Sequence, residues 1–321
     1  MAGPRGIEPL TYGLRVRRST LLSYGPSSYT AKGVILNQFN KFSLLKVIYR
    51  RTVRFLGELA FIGLGLDRET DISLKGLEKA KSADVVFAEF YTSLVPELSL
   101  QKLERLIGKR VLVVSRRDLE EEEGRRILEE AKRSKAALLV PGDPLIATTH
   151  VDLRIRAQKS GIETSVVHGA SIVSAVMGLS GLQNYKFGRS VTIPFTDTGF
   201  VETPYNVIDE NRKKGLHTLC FLDIKAEEKR YMTIKEGLQT LFALEKLRRR
   251  NIITDDTLAV GIARAGSETP TVKAEFASEL MKFNFGKPPH SLIFPGKLHF
   301  MEAEALFILA KAPERVKEMI D

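Results

Sequence analysis

From Glu58 onward, short apolar runs rich in β-forming residues alternate with amphipathic stretches, the pattern of an α/β fold. Glu58–Gly63 reads as a strand running into a glycine-containing loop. Over Ser73–Lys81, Leu74, Leu77 and Ala80 fall on one face with lysines elsewhere, which predicts a helix. Val85–Ala88 and Arg110–Val114 read as strands, with a helix over Pro96–Ile107 between them. Asp118–Arg133 carries Leu119, Ile127 and Leu128 among Glu and Arg, so it reads as one exposed helix whose charges form a solvated face. Ala136–Val140 is a fourth strand, closed by Pro141-Gly142-Asp143-Pro144. A helix over His150–Ser160 and a strand over Thr164–Val167 complete the first half.

His168-Gly169-Ala170 then reads as a hinge, followed by a helix over Ser171–Met177. In the second half, strands at Ser190–Pro194, His217–Leu222, Thr257–Ile262 and Ser291–Phe294 alternate with helices. Those helices are expected at Tyr205–Lys214, Thr233–Arg250, Glu275–Lys282 and Met301–Lys311. The expectation is two α/β domains, 55–168 and 169–321. Residues 1–54 show no such period before Phe39–Ile48.

Charge sharpens that contrast. The chain carries +10 overall, yet residues 1–54 hold ten Lys and Arg against the single acid Glu8. Residues 55–321 are therefore nearly neutral, which argues against nucleic acid as a partner. An Arg- and Ser-rich, acid-poor start has three readings: a transit peptide, a disordered basic arm, or translated sequence outside the working protein. The third is favoured. Gly6-Ile7-Glu8-Pro9 is what the antisense of a transfer-RNA T-arm, GGTTCGATTCC, encodes. No Met stands between Met1 and Met177, so a GTG or TTG start near Val53 or Leu56 is expected.

No apolar run approaches the roughly 18 residues of a membrane span. The lone cysteine, Cys220, lies in the apolar run Leu219–Leu222 and reads as a small buried hydrophobe. The five histidines show no i, i+4 pairing, so no metal site is expected. Neither a GxSxG elbow nor a Walker loop is present.

Three loops carry candidate chemistry. Phe61-Ile62-Gly63-Leu64-Gly65-Leu66 ends a strand in a GxG pair, which invites a dinucleotide reading. Arg68 stands where the third glycine belongs, Asp84 and Glu89 compete for the later acid, and a tight packing turn is the rival reading. Pro141–His150 follows a buried strand at the edge where open α/β sheets bind ligands. There Asp143 offers an acceptor, or simply forms an Asx turn. Ser171-Ile172, Ala263–Ser267 and Pro288-Pro289-His290 leave room for a flat ligand.

Longer strings carry a resemblance. FIGLGL, VVFAEFYTSL, PGDPLIATTHVDLRIRA, GLQNYKFGRSVTIPF, GLHTLCFLDIKA, TDDTLAVGIARAGS and PPHSLIFPGKLHFMEAEAL are similar to the diphthine synthase family across about residues 58–315. That family belongs to the tetrapyrrole-type methylases. The resemblance implies two α/β domains with the cofactor, S-adenosylmethionine, in the cleft between them. It implies successive methylation of the amino group on an aminocarboxypropyl-histidine of translation elongation factor 2. It also implies a cytoplasmic homodimer. By matching residues, the cofactor contacts fall on Leu66, Asp143, Ile146, Ser171, Ile172, Leu222, Ala265 and His290. His168-Gly169-Ala170 departs from the family, whose members often carry proline there. Methyl transfer from a sulfonium needs alignment and exclusion of water rather than a metal or covalent nucleophile, so no catalytic residue is named. A tetrapyrrole methyltransferase, a nicotinamide oxidoreductase and a non-catalytic binding module are the alternatives.

Overall fold

The computed structural model describes residues 57–320, so the sequence readings for residues 1–54 lie outside the described residues. Two five-stranded sheets follow one another along the chain. The first is built from β1 (Gly57–Gly63), β2 (Val85–Glu89), β3 (Val111–Val114), β4 (Lys135–Val140) and β5 (Ile162–Val167), in the order β3-β2-β4-β1-β5. Every pairing in it is parallel. The inner strands β1, β2 and β4 are covered on both faces, which explains their near-continuous apolar runs. Alternate β1 residues feed opposite cores. Ala60 and Ile62 meet Ala80, Leu103 and Ile107 from helices Leu74–Ser82 and Leu100–Ile107. Leu59 and Phe61 meet Ile127, Ala131, Leu153 and Ala157 from helices Arg125–Arg133 and His150–Lys159.

The second sheet uses β6 (Val191–Ile193), β7 (Thr218–Leu222), β10 (Leu258–Ala263), β11 (Thr271–Phe276) and β12 (His290–Phe294). Its order is β11-β10-β12-β7-β6, antiparallel except for β6 on β7. Helices Thr203–Lys213 and Ile234–Arg248 cover one face through Val207, Leu238 and Leu241. Helices Ile172–Ser180 and Phe300–Leu309 cover the other through Val176, Ala303 and Leu306. Between β7 and β10, β8 (Ile224–Lys225) and β9 (Arg230–Tyr231) form a short hairpin. Cys220 is fully buried in β7, and burial pushes its thiol pKa far up. No helix among the described residues is long and apolar enough to cross a membrane.

Three expectations are corrected. The helix expected over Asp118–Arg133 is broken, because Glu123 and Gly124 sit at φ 58° and 66°, in left-handed backbone. A short turn over Arg117–Glu121 precedes the α-helix, which begins at Arg125. The helix expected from Pro96 begins at Leu100, where the Ser99 hydroxyl caps it. Glu275–Lys282 is not a helix throughout. Thr271–Phe276 is the edge strand β11, paired from Ala263↔Thr271 to Leu258↔Phe276, leaving only Ala277–Leu280 helical. The β8–β9 hairpin was not anticipated, since two-residue strands carry no readable period.

Candidate functional site

Adjacent parallel strands β1 and β4 end at the same edge of the first sheet, and the loops that leave them are bonded together. Leu64 N–H donates to Val140 O at 2.8 Å, and Gly142 N–H donates to Gly65 O at 2.7 Å. A β-carbon on Gly63 would lie 2.5 Å from both Gly142 O and Gly169 N, and one on Gly169 would overlap Gly142 O. The FIGLGL, PGDP and HGA segments therefore touch backbone to backbone, which only glycine permits. Chain packing accounts for the GxG pair without a pyrophosphate. The two candidate acids are also engaged elsewhere. Asp84 accepts from Lys135 N–H at 2.8 Å, while fully buried Glu89 accepts from Tyr91 and Thr92 N–H.

At this edge lies a cavity of about 240 Å³, many times the space one ordered water fills. All eight positions singled out by the resemblance line it. Leu66 comes from the loop after β1, and Asp143 and Ile146 come from the loop after β4. Ser171 and Ile172 open helix Ile172–Ser180, with the Ser171 hydroxyl accepting from Val173 N–H at 3.2 Å. Leu222 ends β7, Ala265 follows β10 and His290 begins β12. Residues distant in sequence are thus gathered by strand ends of both sheets.

Asp143 is 6% exposed and has both oxygens engaged. Oδ1 accepts from Leu145 N–H at 3.0 Å, the Asx turn held as the rival reading, and Oδ2 meets His168 Nδ1 at 2.7 Å. Each oxygen retains a second lone pair for a ligand. Nearby Ala147 adopts left-handed backbone, φ 56°, so this loop holds a strained geometry against the cavity.

His290 is buried and accepts at Nδ1 from Ile234 N–H at 3.3 Å, which places its proton on Nε2. Nε2 meets no partner in hydrogen-bonding geometry. Burial lowers the imidazole pKa, and the nearby Lys287 carbonyl acts weakly the other way. The ring is thus a neutral donor rather than a base. Arg264, read from sequence only as a neighbour of small residues, fixes the approach to His290. Its Nη1 donates to Phe285 O at 2.9 Å and Lys287 O at 2.8 Å, and Nη2 donates to Thr271 Oγ1 at 2.9 Å.

Sequence reasoning missed Tyr91, Arg116 and Asp223, which also line the cavity. Tyr91 and Arg116 follow β2 and β3, so the rule that parallel strands present their carboxyl ends to ligands could have found them. Asp223 had no such signal. Its carboxylate accepts from Phe195 and Ile224 N–H, each at 2.9 Å, and so shapes the turn after β7.

Comparison with known proteins agrees with this arrangement. A family model described as tetrapyrrole (corrin/porphyrin) methylases matches residues 58–280. The diphthine synthase of Methanosarcina mazei is 52% identical over 269 residues, covering 82% of this chain and 100% of that protein. The diphthine synthase of Methanocaldococcus jannaschii is 48% identical over 256 residues, covering 79% and 99%. A crystal structure of diphthine synthase superposes with a TM-score of 0.75 at 43% identity, covering 82% of this chain and all of the other. The fold, the cavity-lining strand ends and these similarities lead to one assignment: the chain belongs to the diphthine synthases of the tetrapyrrole methylase family and is a methyltransferase.

Proposed function

We propose that this enzyme transfers methyl groups from S-adenosylmethionine to the amino group of the aminocarboxypropyl arm carried by a histidine of translation elongation factor 2. The observation that carries the donor assignment is the convergence of Leu66, Asp143, Ile146, Ser171, Ile172, Leu222, Ala265 and His290 on one cavity wall system. These residues fit such a donor. Loop backbone and apolar side chains suit an adenosyl group, while Asp143 and the unmatched His290 Nε2–H offer an acceptor and a donor for its polar edges.

When bound, the donor supplies a methyl on a sulfonium, so the amine gains an N–C bond as the C–S bond breaks, a neutral thioether leaves and the amine proton passes to water. The chain's part is placement. Leu66, Ile146, Ile172 and Leu222 form walls that exclude water, and the glycine contacts hold the loops carrying them. His290, with Nδ1 occupied by Ile234 N–H, is not arranged to take the proton. We further read residues 55–168 and 169–321 as two domains with the donor between them, in a cytoplasmic homodimer.

The test is intact-mass analysis of elongation factor 2 bearing the unmethylated arm, incubated with enzyme and donor. Stepwise gain of methyl groups is expected. An unmodified factor, with methyl transfer to a precorrin-like macrocycle instead, would overturn the substrate assignment.

A further inference from the structure

One side of the cavity is built by none of the eight donor positions. Tyr91, Thr92, Ser93 and Leu94 follow β2, and Arg116 follows β3. Tyr91 is 6% exposed, and its hydroxyl meets no group in hydrogen-bonding geometry, although the Thr149 side chain is close. Tyr91 lines the cavity, and its buried, unmatched hydroxyl calls for an explanation, which a ligand acceptor reaching it would supply.

The surroundings hold this hydroxyl ready as a donor. Beneath it, Glu89 is fully buried and saturated. It accepts from Tyr91 N–H at 2.9 Å, Thr92 N–H at 3.1 Å and Thr92 Oγ1 at 2.5 Å, and meets His150 Nε2 at 3.2 Å. That network fixes the backbone from which the phenol projects. Burial, and then the negative charge of Glu89, push the phenol pKa far up, so it stays protonated. The Arg116 guanidinium lies over the Tyr91 ring at 5.3 Å. Its nearest acid, Glu120, is 4.0 Å from Nε, the outer limit of an ion pair, so most of its hydrogen-bonding capacity is unspent. A neutral donor beside a cation matches a carboxylate.

We propose that Tyr91 and Arg116 form the acceptor subsite, gripping the carboxylate that sits on the same carbon as the amine being methylated. This rests on the acceptor being the aminocarboxypropyl arm. The amine gains bulk and loses N–H donors with every methyl it receives, whereas the carboxylate is unchanged. An anchor on the carboxylate therefore serves each round of methylation equally.

The experiment compares wild type, Tyr91→Phe, Arg116→Gln and Arg116→Lys with elongation factor 2 bearing the unmethylated arm. Acceptor KM, kcat, donor Kd by calorimetry and Tm are read for each. Tyr91→Phe and Arg116→Gln should raise acceptor KM by about 10- to 100-fold, the loss expected for a charge-assisted hydrogen bond, with donor Kd unchanged. Arg116→Lys should recover part of the loss. The Tm of Tyr91→Phe should hold or rise, because the variant removes an unmatched hydroxyl. Unchanged acceptor KM in both variants, or an equal weakening of donor Kd, would overturn the subsite. A wild-type enzyme that leaves the arm unmethylated would overturn the acceptor reading itself, and the subsite with it.

Discussion

Two carboxylate–histidine pairs of nearly equal length serve different ends. Glu302 and His217 meet at 2.9 Å with both side chains 0% exposed, whereas Asp143 and His168 meet at 2.7 Å with the histidine 74% exposed. In the first pair every capacity is taken up. Glu302 also accepts from Gln183 N–H, His299 N–H and Lys186 Nζ, and His217 Nδ1 accepts from Gly296 N–H. This cluster ties helix Phe300–Leu309 to the strands beneath it. In the second pair, solvent screens the histidine and the carboxylate borders the cavity. Separation alone ranks the pairs equal; burial and the count of partners make the first structural and leave the second available to a ligand.

The largest effect should come from breaking the buried pair. Glu302→Ala strands His217, Lys186 and two backbone donors, and should cost about 3–5 kcal/mol in denaturant titration while donor affinity in the folded protein is unchanged. Loss of donor affinity in step with stability would erase the distinction between the two pairs. Acid probes the same cluster. Burial alone would raise the Glu302 carboxyl, but the His299 N–H, Lys186, Gln183 N–H and His217 outweigh it and hold the pKa at about 2. With a folded pKa below the ordinary 4.5, its stabilisation is complete above that pH and is lost as pH falls towards about 2. Burial also lowers the His217 pKa below 6.5, so proton uptake by the unfolded chain erodes stability from about that pH downward. In Glu302→Gln, melting temperature should therefore fall less steeply with acid than in wild type, and parallel curves would refute the assignment.

The second pair should answer through the ligand. Asp143→Ala should weaken S-adenosylmethionine binding by roughly 1.5–3 kcal/mol in calorimetry, the value of a hydrogen bond involving a charged group. Unchanged affinity would mean that the carboxylate only shapes the Leu145 turn. His168→Ala should change stability by less than about 1 kcal/mol, since the imidazole is largely solvated. The smallest effect is expected from starting the chain near Leu56, which should leave melting temperature and methyl transfer as they are. A large loss in either would show that residues 1–54 contribute to the enzyme.

All five strands of the first sheet were legible in sequence, and in the second all but the edge strand β11. The first sheet's inner strands β1, β2 and β4 are buried on both faces, so runs such as Ala136–Val140 stand out as unbroken apolar segments, and their carboxyl ends carry glycine and proline loops. In the second, β11 is an edge strand whose half-buried Thr271–Phe276 reads as readily as the start of a helix. The break at Glu123-Gly124 was hidden because the apolar stripe resumes at Ile127. At the cavity, the eight proposed donor positions were reached chiefly through long matching strings. Tyr91 and Arg116 were within reach as residues that follow β2 and β3, but the unmatched hydroxyl and the cation over the ring that set them apart appear only in the fold. Asp143 shows the converse: its Asx turn and its place on the cavity wall were both foreseen as rivals, and the fold contains both.

On the proposed function, the cavity at the ends of β1, β4, β7, β10 and β12 holds the methyl donor. A crystal structure of the protein saturated with S-adenosylhomocysteine, the spent donor, tests it most directly. Ligand density is expected against Leu66, Asp143, Ile146 and Ile172, with a polar ligand atom within hydrogen-bonding reach of Asp143 or His290. Ligand density elsewhere on the molecule, with this cavity holding only water, would contradict it.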